Sequence, residues 1–294
     1  MAYRNQLTKW VESHKDTLDI RVKDLSWIQL MFPGWKDFEV SFSVGVEGFS
    51  GRGSAQSGEI AVSKALCEAI ERFTCCQYQL GSEGVAGHFD PELAKENAKL
   101  ELVERTALSF HMQNDIPATR LRHPELRNIK LADGRELSGL VHALSLISPI
   151  GVHIVLSIFE GVTIESQFGG ILGMGASASL QDALVHAEIE CFRNVAALST
   201  IEFQSMDIVE YRKLKAVTSE DCRRLFFDPK FCEGVLRVLV SENSGSRQHC
   251  SFPQMNLSYE QLCPTGEGFK DCPFQFYRCI DSNRSTPLQL EFVG

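Results

Sequence analysis

A segment of 21 residues occurs twice in this chain at a constant spacing, and no other feature limits its folding so tightly. GFSGRGSAQSGEIAVSKALCE (48–68) aligns without a gap with GILGMGASASLQDALVHAEIE (170–190), at an offset of 122 residues. Gly48, Gly51, Gly53, Ser57, Ala61, Ala65 and Glu68 coincide with Gly170, Gly173, Gly175, Ser179, Ala183, Ala187 and Glu190. Glycines permit tight turns and close backbone approach, and alanines let a helix lie near a sheet or a partner helix. The segment reads as a glycine loop followed by a helix, present twice through an ancient duplication. The repeat units are about residues 45–80 and 167–200, and Gly51–Glu71 is expected to superpose on Gly173–Arg193 about an approximate two-fold axis.

With 294 residues, 44% of them hydrophobic, the chain can bury a core as one large domain or as two intimately packed halves. A net charge of −9 argues against a broad basic surface for nucleic acid. No apolar run of membrane-spanning or signal-peptide length occurs, so the chain is expected to be soluble and cytoplasmic, with no nucleic-acid or membrane partner. There are ten cysteines and no CxxC. Cys250, Cys263, Cys272 and Cys279 are irregularly spaced and are expected to bind no metal.

Along the chain, residues 1–35 read as helical and Phe38–Val44 as a strand. The glycine-rich stretch Gly45–Gly58 leads into a helix to about Leu80. Asp90-Pro91 opens another helix, reaching about Met112 on an apolar spacing of Leu100, Val103, Ala107 and Phe110. A β-rich middle follows, with Asp133-Gly134 at a hairpin turn and Pro149-Ile150-Gly151 between the apolar runs Val141–Ile147 and Val152–Phe159. Gly169–Gly175 precedes a helix over about Leu180–Leu198. A helix near Ser219–Leu225, a strand over Val235–Val240 and an exposed loop over 241–255 complete the reading, and 241–294 forms a C-terminal extension without an assigned role.

The two repeated helices carry their polar residues differently. In the first, Leu66, Ala69, Ile70 and Phe73 form an apolar stripe, while Lys64, Glu68 and Glu71 make what is by itself an ordinary solvated face. In the second, apolar residues cover most of the circumference, and Asp182, His186, Glu190 and Arg193 form a narrow polar stripe. Such charges require partners. Two accounts compete: a closed salt-bridge network through Arg193 and His186, or a cleft in which Glu68, Glu71, Asp182 and Glu190 gather. Carboxylates a few ångströms apart repel by several kcal/mol, about 4 at 4 Å and an effective dielectric of 20. A gathered set therefore needs protons or divalent cations, and magnesium holding nucleotide phosphates is a common answer.

GRGSAQSGEIAVSKALCEAIERF (51–73) resembles the GKG…A..SA..E..ER segment of the YcaO family, and GASASLQDALVHAEIECFRN resembles that family's second nucleotide-binding segment. The resemblance covers roughly residues 40–200. It implies an α+β YcaO-like fold of two pseudo-symmetric halves, each a β-sheet covered by helices, with the chain forming one such domain over 1–294. It also implies ATP and Mg2+ as cofactors, used to phosphorylate a peptide amide oxygen on the way to azolines, amidines or thioamides. Glu68, Glu71, Asp182 and Glu190 then stand at metal-binding positions, and Lys64, Arg193 and Asn194 at nucleotide-contacting ones; no catalytic residue is assigned. Lys64 replaces a serine, Ala178 an asparagine, Arg193 a second metal-binding glutamate and Asn194 an arginine, and the proline-rich tail of cyclodehydratases is missing. The implied partner is a peptide or protein substrate, delivered or not by a second protein, and self-association is left open. The alternative function is a member without catalysis that serves as a binding or scaffold partner.

Overall fold

The computed structural model describes residues 2–25, 28–81, 83–131, 134–161, 169–197, 205–213, 224–240 and 252–284. In chain order its elements are α1 (Ala2–His14), β1 (Arg21–Asp24), α2 (Ile28–Met31), β2 (Lys36–Val44), β3 (Glu47–Ala55), α3 (Gly58–Gln77), β4 (Val85–His88) and α4 (Pro91–Gln113). Then come β5 (Thr119–Arg120), β6 (Glu125–Lys130), β7 (Glu136–Leu146), β8 (His153–Gly161), β9 (Gly170–Ser177), α5 (Leu180–Ala197), α6 (Ile208–Tyr211), α7 (Pro229–Leu239), β10 (Leu257–Leu262) and β11 (Gln275–Asp281). The fold is a mixed α+β one in which all strand pairings among the described residues are antiparallel.

Two compact units divide the chain: Met1–Leu102 with Asn256–Asn283, and Val103–Met255 with Arg284–Gly294. The first holds two three-stranded sheets, β1-β2-β3 and β10-β11-β4; the second holds a five-stranded sheet of order β5-β7-β8-β9 with β6 also on β7. The expectation of one sheet per half therefore needs correcting for the first unit. Its second sheet comes from the C-terminal strands β10 and β11, so the extension without an assigned role is structural. In the first unit α3 buries Leu66, Ile70 and Phe73 against Trp10, Val40, Phe42 and Phe269. The Phe73 and Phe269 rings stack at 4.4 Å between centroids, adding to the burial term.

Several local expectations change. Residues 21–24 form a strand paired with β2, not part of a helix. Val235–Leu239 lie in α7 rather than in a strand. Asp228 caps that helix through Phe231 N–H, Pro229 occupies its first turn, and Cys232, Val235, Leu236 and Leu239 are buried at helical spacing. Cap and period together outweigh the β-propensity of the valines. Asp90 caps α4 as expected, accepting from Glu92 N–H at 2.9 Å and Leu93 N–H at 3.2 Å. The hairpin between β6 and β7 pairs Lys130 with Glu136 around Gly134, whose φ is +89°; Asp133 lies outside the described residues. Residues 219–223 and 241–251 also lie outside them, whereas Phe252 packs its ring on Phe110. No helix among the described residues is long and apolar enough to cross a membrane.

The glycine stretches are not loops. Gly51 and Gly53 lie inside β3, paired with Val40 and Phe38, and Gly173 and Gly175 lie inside β9, paired with Ser157 and Val155. The turn before β3 is at Gly45, with φ +62°. What requires glycine in the strands is the helix lying over them. A β-carbon on Gly51 would collide with the backbone of Ala65 and Ala69, and one on Gly53 with Ala61 and Ala65. One on Gly173 would collide with Ala187 and Cys191, and one on Gly175 with Ala183 and Ala187. Each of these contacts in the second unit falls 122 residues after its counterpart.

Gly51→Ala and Gly173→Ala should each lower stability by at least about 1–3 kcal/mol, as overpacking does. Gly234, exposed in α7 with open space around it, is the control, and Gly234→Ala should raise stability by up to about 1 kcal/mol. Urea midpoints of the three variants check both expectations.

Candidate functional site

Close approach of helix and strand lets glutamates of α3 and α5 reach the strand backbone. Glu68 Oε2 accepts Arg52 N–H at 2.9 Å, and Glu190 Oε2 accepts Met174 N–H at 2.6 Å. These contacts too are 122 residues apart at both ends. A second pair of hydrogen bonds follows the same rule: Arg72 donates to the Ser50 carbonyl at 2.7 Å, and Asn194 Nδ2 donates to the Leu172 carbonyl at 3.0 Å. Glu68 Oε1 also forms an ion pair with Arg72 at 2.6 Å. That pair is partly exposed, where such contacts contribute less than about 1 kcal/mol.

Glu71, one turn after Glu68, does not lie on a solvated face. It is half-buried, because β4 covers that side of α3, and its carboxylate accepts Gly87 N–H at 3.2 Å. Loss of water, together with the neighbouring Glu68 charge, pushes the Glu71 carboxyl up to about 8, against the weaker opposing pull of Gly87 N–H and Arg72. The Cys67 thiol is also driven upward, first by burial and then by Glu71; it packs against Gly87 as an inert filler, not a nucleophile.

The second unit contains an acid that the sequence reading passes over. Glu104 of α4 is pushed up to about 8 by burial and by the charge of Glu190, while Arg105 and a hydrogen bond from Ala176 N–H oppose the rise. A signal for it exists in the sequence: Glu104 sits between Leu100 and Leu108 at helical spacing, an acid inside an apolar stripe. Within the second unit Glu104 thus feels the charge of Glu190, as Glu71 feels that of Glu68 in the first.

The other residues singled out by sequence are placed differently. Asp182 is exposed in the first turn of α5, its N–H donating to Ser179 Oγ at 3.3 Å. Eight residues of helix put it about 12 Å along the axis from Glu190, so within this unit it does not join the Glu190 pair. The polar stripe of α5 begins in solvent at Asp182 and His186 and turns inward at Glu190 and Arg193, both half-buried. Lys64 is exposed on α3, with its Cβ beside Gly53. Among the described residues, no three His, Cys, Asp or Glu side chains stand close enough to hold a metal ion by themselves. Paired carboxylates fit a different arrangement, in which magnesium takes one or two protein carboxylates and completes its shell with phosphates and water.

No protein-family model and no curated protein matches the sequence. Among solved structures, the α+β architecture is shared with heterocyclase-type and related chains. The chain is similar to a heterocyclase in complex with substrate and cofactor, at 10% identity and a TM-score of 0.54, over 92% of this chain and 51% of that one. It is similar along nearly its whole length to YcaO from Methanopyrus kandleri, whose structure is bound with AMPPCP and Mg2+. That match has 13% identity and a TM-score of 0.58, over 95% of this chain and 90% of that one. The fold of this chain is the YcaO-like fold that the motif resemblance implied.

An acid whose folded pKa lies above its unfolded value near 4.3 holds its proton more tightly when folded. Its contribution to stability therefore falls as pH rises from about 4.5 to 8. Glu71→Gln keeps an acceptor for Gly87 N–H and removes that titration. The variant's melting temperature should gain on wild type progressively between pH 5 and pH 8.5; a constant difference over that range would count against the burial of Glu71.

Proposed function

We propose that this chain binds a magnesium-complexed adenine nucleotide and uses it to activate an amide of a peptide or protein substrate. One observation carries the reading: the fold that YcaO shows with AMPPCP and Mg2+ here holds Glu68, Glu71 and Glu190 on the strand N–H groups of Arg52, Gly87 and Met174. A like-charged pair in a poorly hydrated place is unfavourable alone and favourable around a divalent cation. Glu68, Glu71 and Glu190 are the proposed metal-holding residues, with Asp182 as the solvent-side acid of α5. Arg193, one turn beyond Glu190, and Lys64 bring positive charge suited to phosphate, the arginine through its planar fork of donors. Bound nucleotide would supply a phosphoryl group to an amide oxygen, making that carbonyl easier to attack. The chain's own part is to fix the carboxylates by backbone hydrogen bonds before any ligand arrives, which lowers the cost of ordering them on binding. With Arg193 in place of a carboxylate, one magnesium is expected where two would otherwise sit.

The matching contacts at offset 122 support a further part of this reading, namely that both strand–helix elements descend from one duplicated element. A scaffold without catalysis is the second reading. It is favoured by the self-sufficiency of Glu68, whose two oxygens already have partners in Arg52 N–H and Arg72.

Calorimetric titration with ATP at several magnesium concentrations separates the two. Wild type should bind in a magnesium-dependent way, and Glu68→Gln combined with Glu190→Gln should weaken that binding at least about tenfold, near 1.4 kcal/mol. Absence of magnesium-dependent binding at millimolar ATP would leave the scaffold. Binding untouched by the double substitution would place the nucleotide elsewhere.

A further inference from the structure

His111 sits in the last turn of α4, fully buried, and backbone groups engage both of its ring nitrogens. Nδ1 lies 2.8 Å from the Ile116 carbonyl oxygen, and Ile147 N–H donates to Nε2 at 2.8 Å. A carbonyl oxygen can only accept and a backbone N–H can only donate. Nδ1 must therefore carry the hydrogen and Nε2 the lone pair, so His111 is a neutral imidazole in one defined tautomer. Ile147 directly follows the last residue of β7, and its N–H lies just past the end of that strand. We propose that this ring is an acid-sensitive latch: neutral, it ties the end of β7 to the end of α4, and on taking a proton it releases Ile147.

One proton from solvent goes to Nε2, the bond from Ile147 N–H to that nitrogen breaks, and the donation from Nδ1 to Ile116 is kept. Two N–H groups then face each other, and a cation lies in a buried place. Release frees the turn between β7 and β8 from α4. His111 itself stays in position, because Ile116 N–H also donates to its carbonyl at 2.9 Å. Burial holds the ring below the usual histidine range, against the weaker upward pull of the Ile116 carbonyl. The charged groups of the surrounding segments are distant or in solvent. Glu104 stands two turns earlier on α4, about 10 Å along the axis. Asp115 of the following turn, Arg120 of β5 and His153 at the start of β8 are exposed. On α7, which meets this region where Ala118 N–H donates to the Leu239 carbonyl, Glu233 and Arg237 pair with each other in solvent. The end of a helix favours a cation, so the opposition to the proton comes from Ile147 N–H and from burial. A histidine held neutral contributes stability that is complete above its unfolded value near 6.5 and is lost as pH falls toward its folded one. That direction is opposite to the one at Glu71. The latch does not depend on the nucleotide reading.

The test is NMR on the full chain labelled with nitrogen-15. At about pH 7.5 the His111 ring should give a pyrrole-type Nδ1 signal and a pyridine-type Nε2 signal. From about pH 7.5 to about pH 5, exchange protection of the Ile147 amide should fall at least about tenfold, as an opening that admits one proton requires. Protection of the Leu156 amide, in the middle of β8, should hold. His111→Gln offers an uncharged oxygen to Ile147 N–H and an amide N–H to the Ile116 carbonyl, so its Ile147 protection should not respond to acid. An Nε2–H tautomer or an imidazolium near neutral pH, or wild-type Ile147 protection that ignores pH, would overturn the proposal. So would an equal loss at Leu156, which is general unfolding, or the same loss in His111→Gln, which puts the titrating group elsewhere. If His111→Gln does not fold, the ring signals and the comparison of Ile147 with Leu156 in wild type decide by themselves.

Discussion

Four glycines set the distance between a helix and a strand in each unit, and most of what is distinctive in this protein follows from that distance. With Gly51 and Gly53 in β3, and Gly173 and Gly175 in β9, the strands offer no side chain to the helix above, and alanines on the helix answer in kind. Backbones meet where side-chain layers would ordinarily hold helix and sheet about 10 Å apart. Only at this separation can a glutamate on the helix reach across to an N–H on the strand. The close contact thus serves packing and orientation of the acids together, and a single methyl group in the strand disturbs both.

The acids themselves are balanced between cost and support. In each unit the acids receive backbone N–H donors, which stabilise the charged form, and one of them is driven by burial and its neighbour toward the protonated form. Neither influence cancels the other: the N–H donors favour the carboxylate, while burial and the neighbouring charge favour the proton at Glu71 and Glu104. Asp37 is satisfied differently, with the Ser54 hydroxyl donating to one oxygen and Arg52 paired with the other.

Much of this was legible in the sequence and some was not, for identifiable reasons. The offset of 122 located both strand–helix elements, because glycine and alanine in fixed register are a direct imprint of close packing. The same glycines were misread as loops, since single-sequence reasoning attaches glycine to turns first. Asp90-Pro91 marked a helix start correctly; Asp228-Pro229 carries the same signal, but the valines after it favoured a strand on propensity alone. Glu71 read as solvated because no pattern within α3 shows that β4 folds back to place Gly87 N–H on its carboxylate. Glu104 escaped because the search followed the repeat, and its helix lies outside the repeat. The YcaO-like fold was legible from two motifs, while family models and curated proteins gave no match.

The place of β11 in the first unit has a consequence for how the protein comes into being. Residues 275–278 pair with β4, so the first unit lacks the central strand of one sheet until these residues have left the ribosome. Until then Phe276 has not reached its place beside Gly87 and Cys67, and β4 lacks its partner strand. The second unit, whose described strands lie within 119–177, can close earlier during synthesis. Folding of the first unit is therefore paced by long-range pairing, the slow step in sheet proteins, and the setting of α3 is completed only when β11 joins β4. Truncation near the C-terminus would then alter the setting of a helix some two hundred residues earlier in the chain.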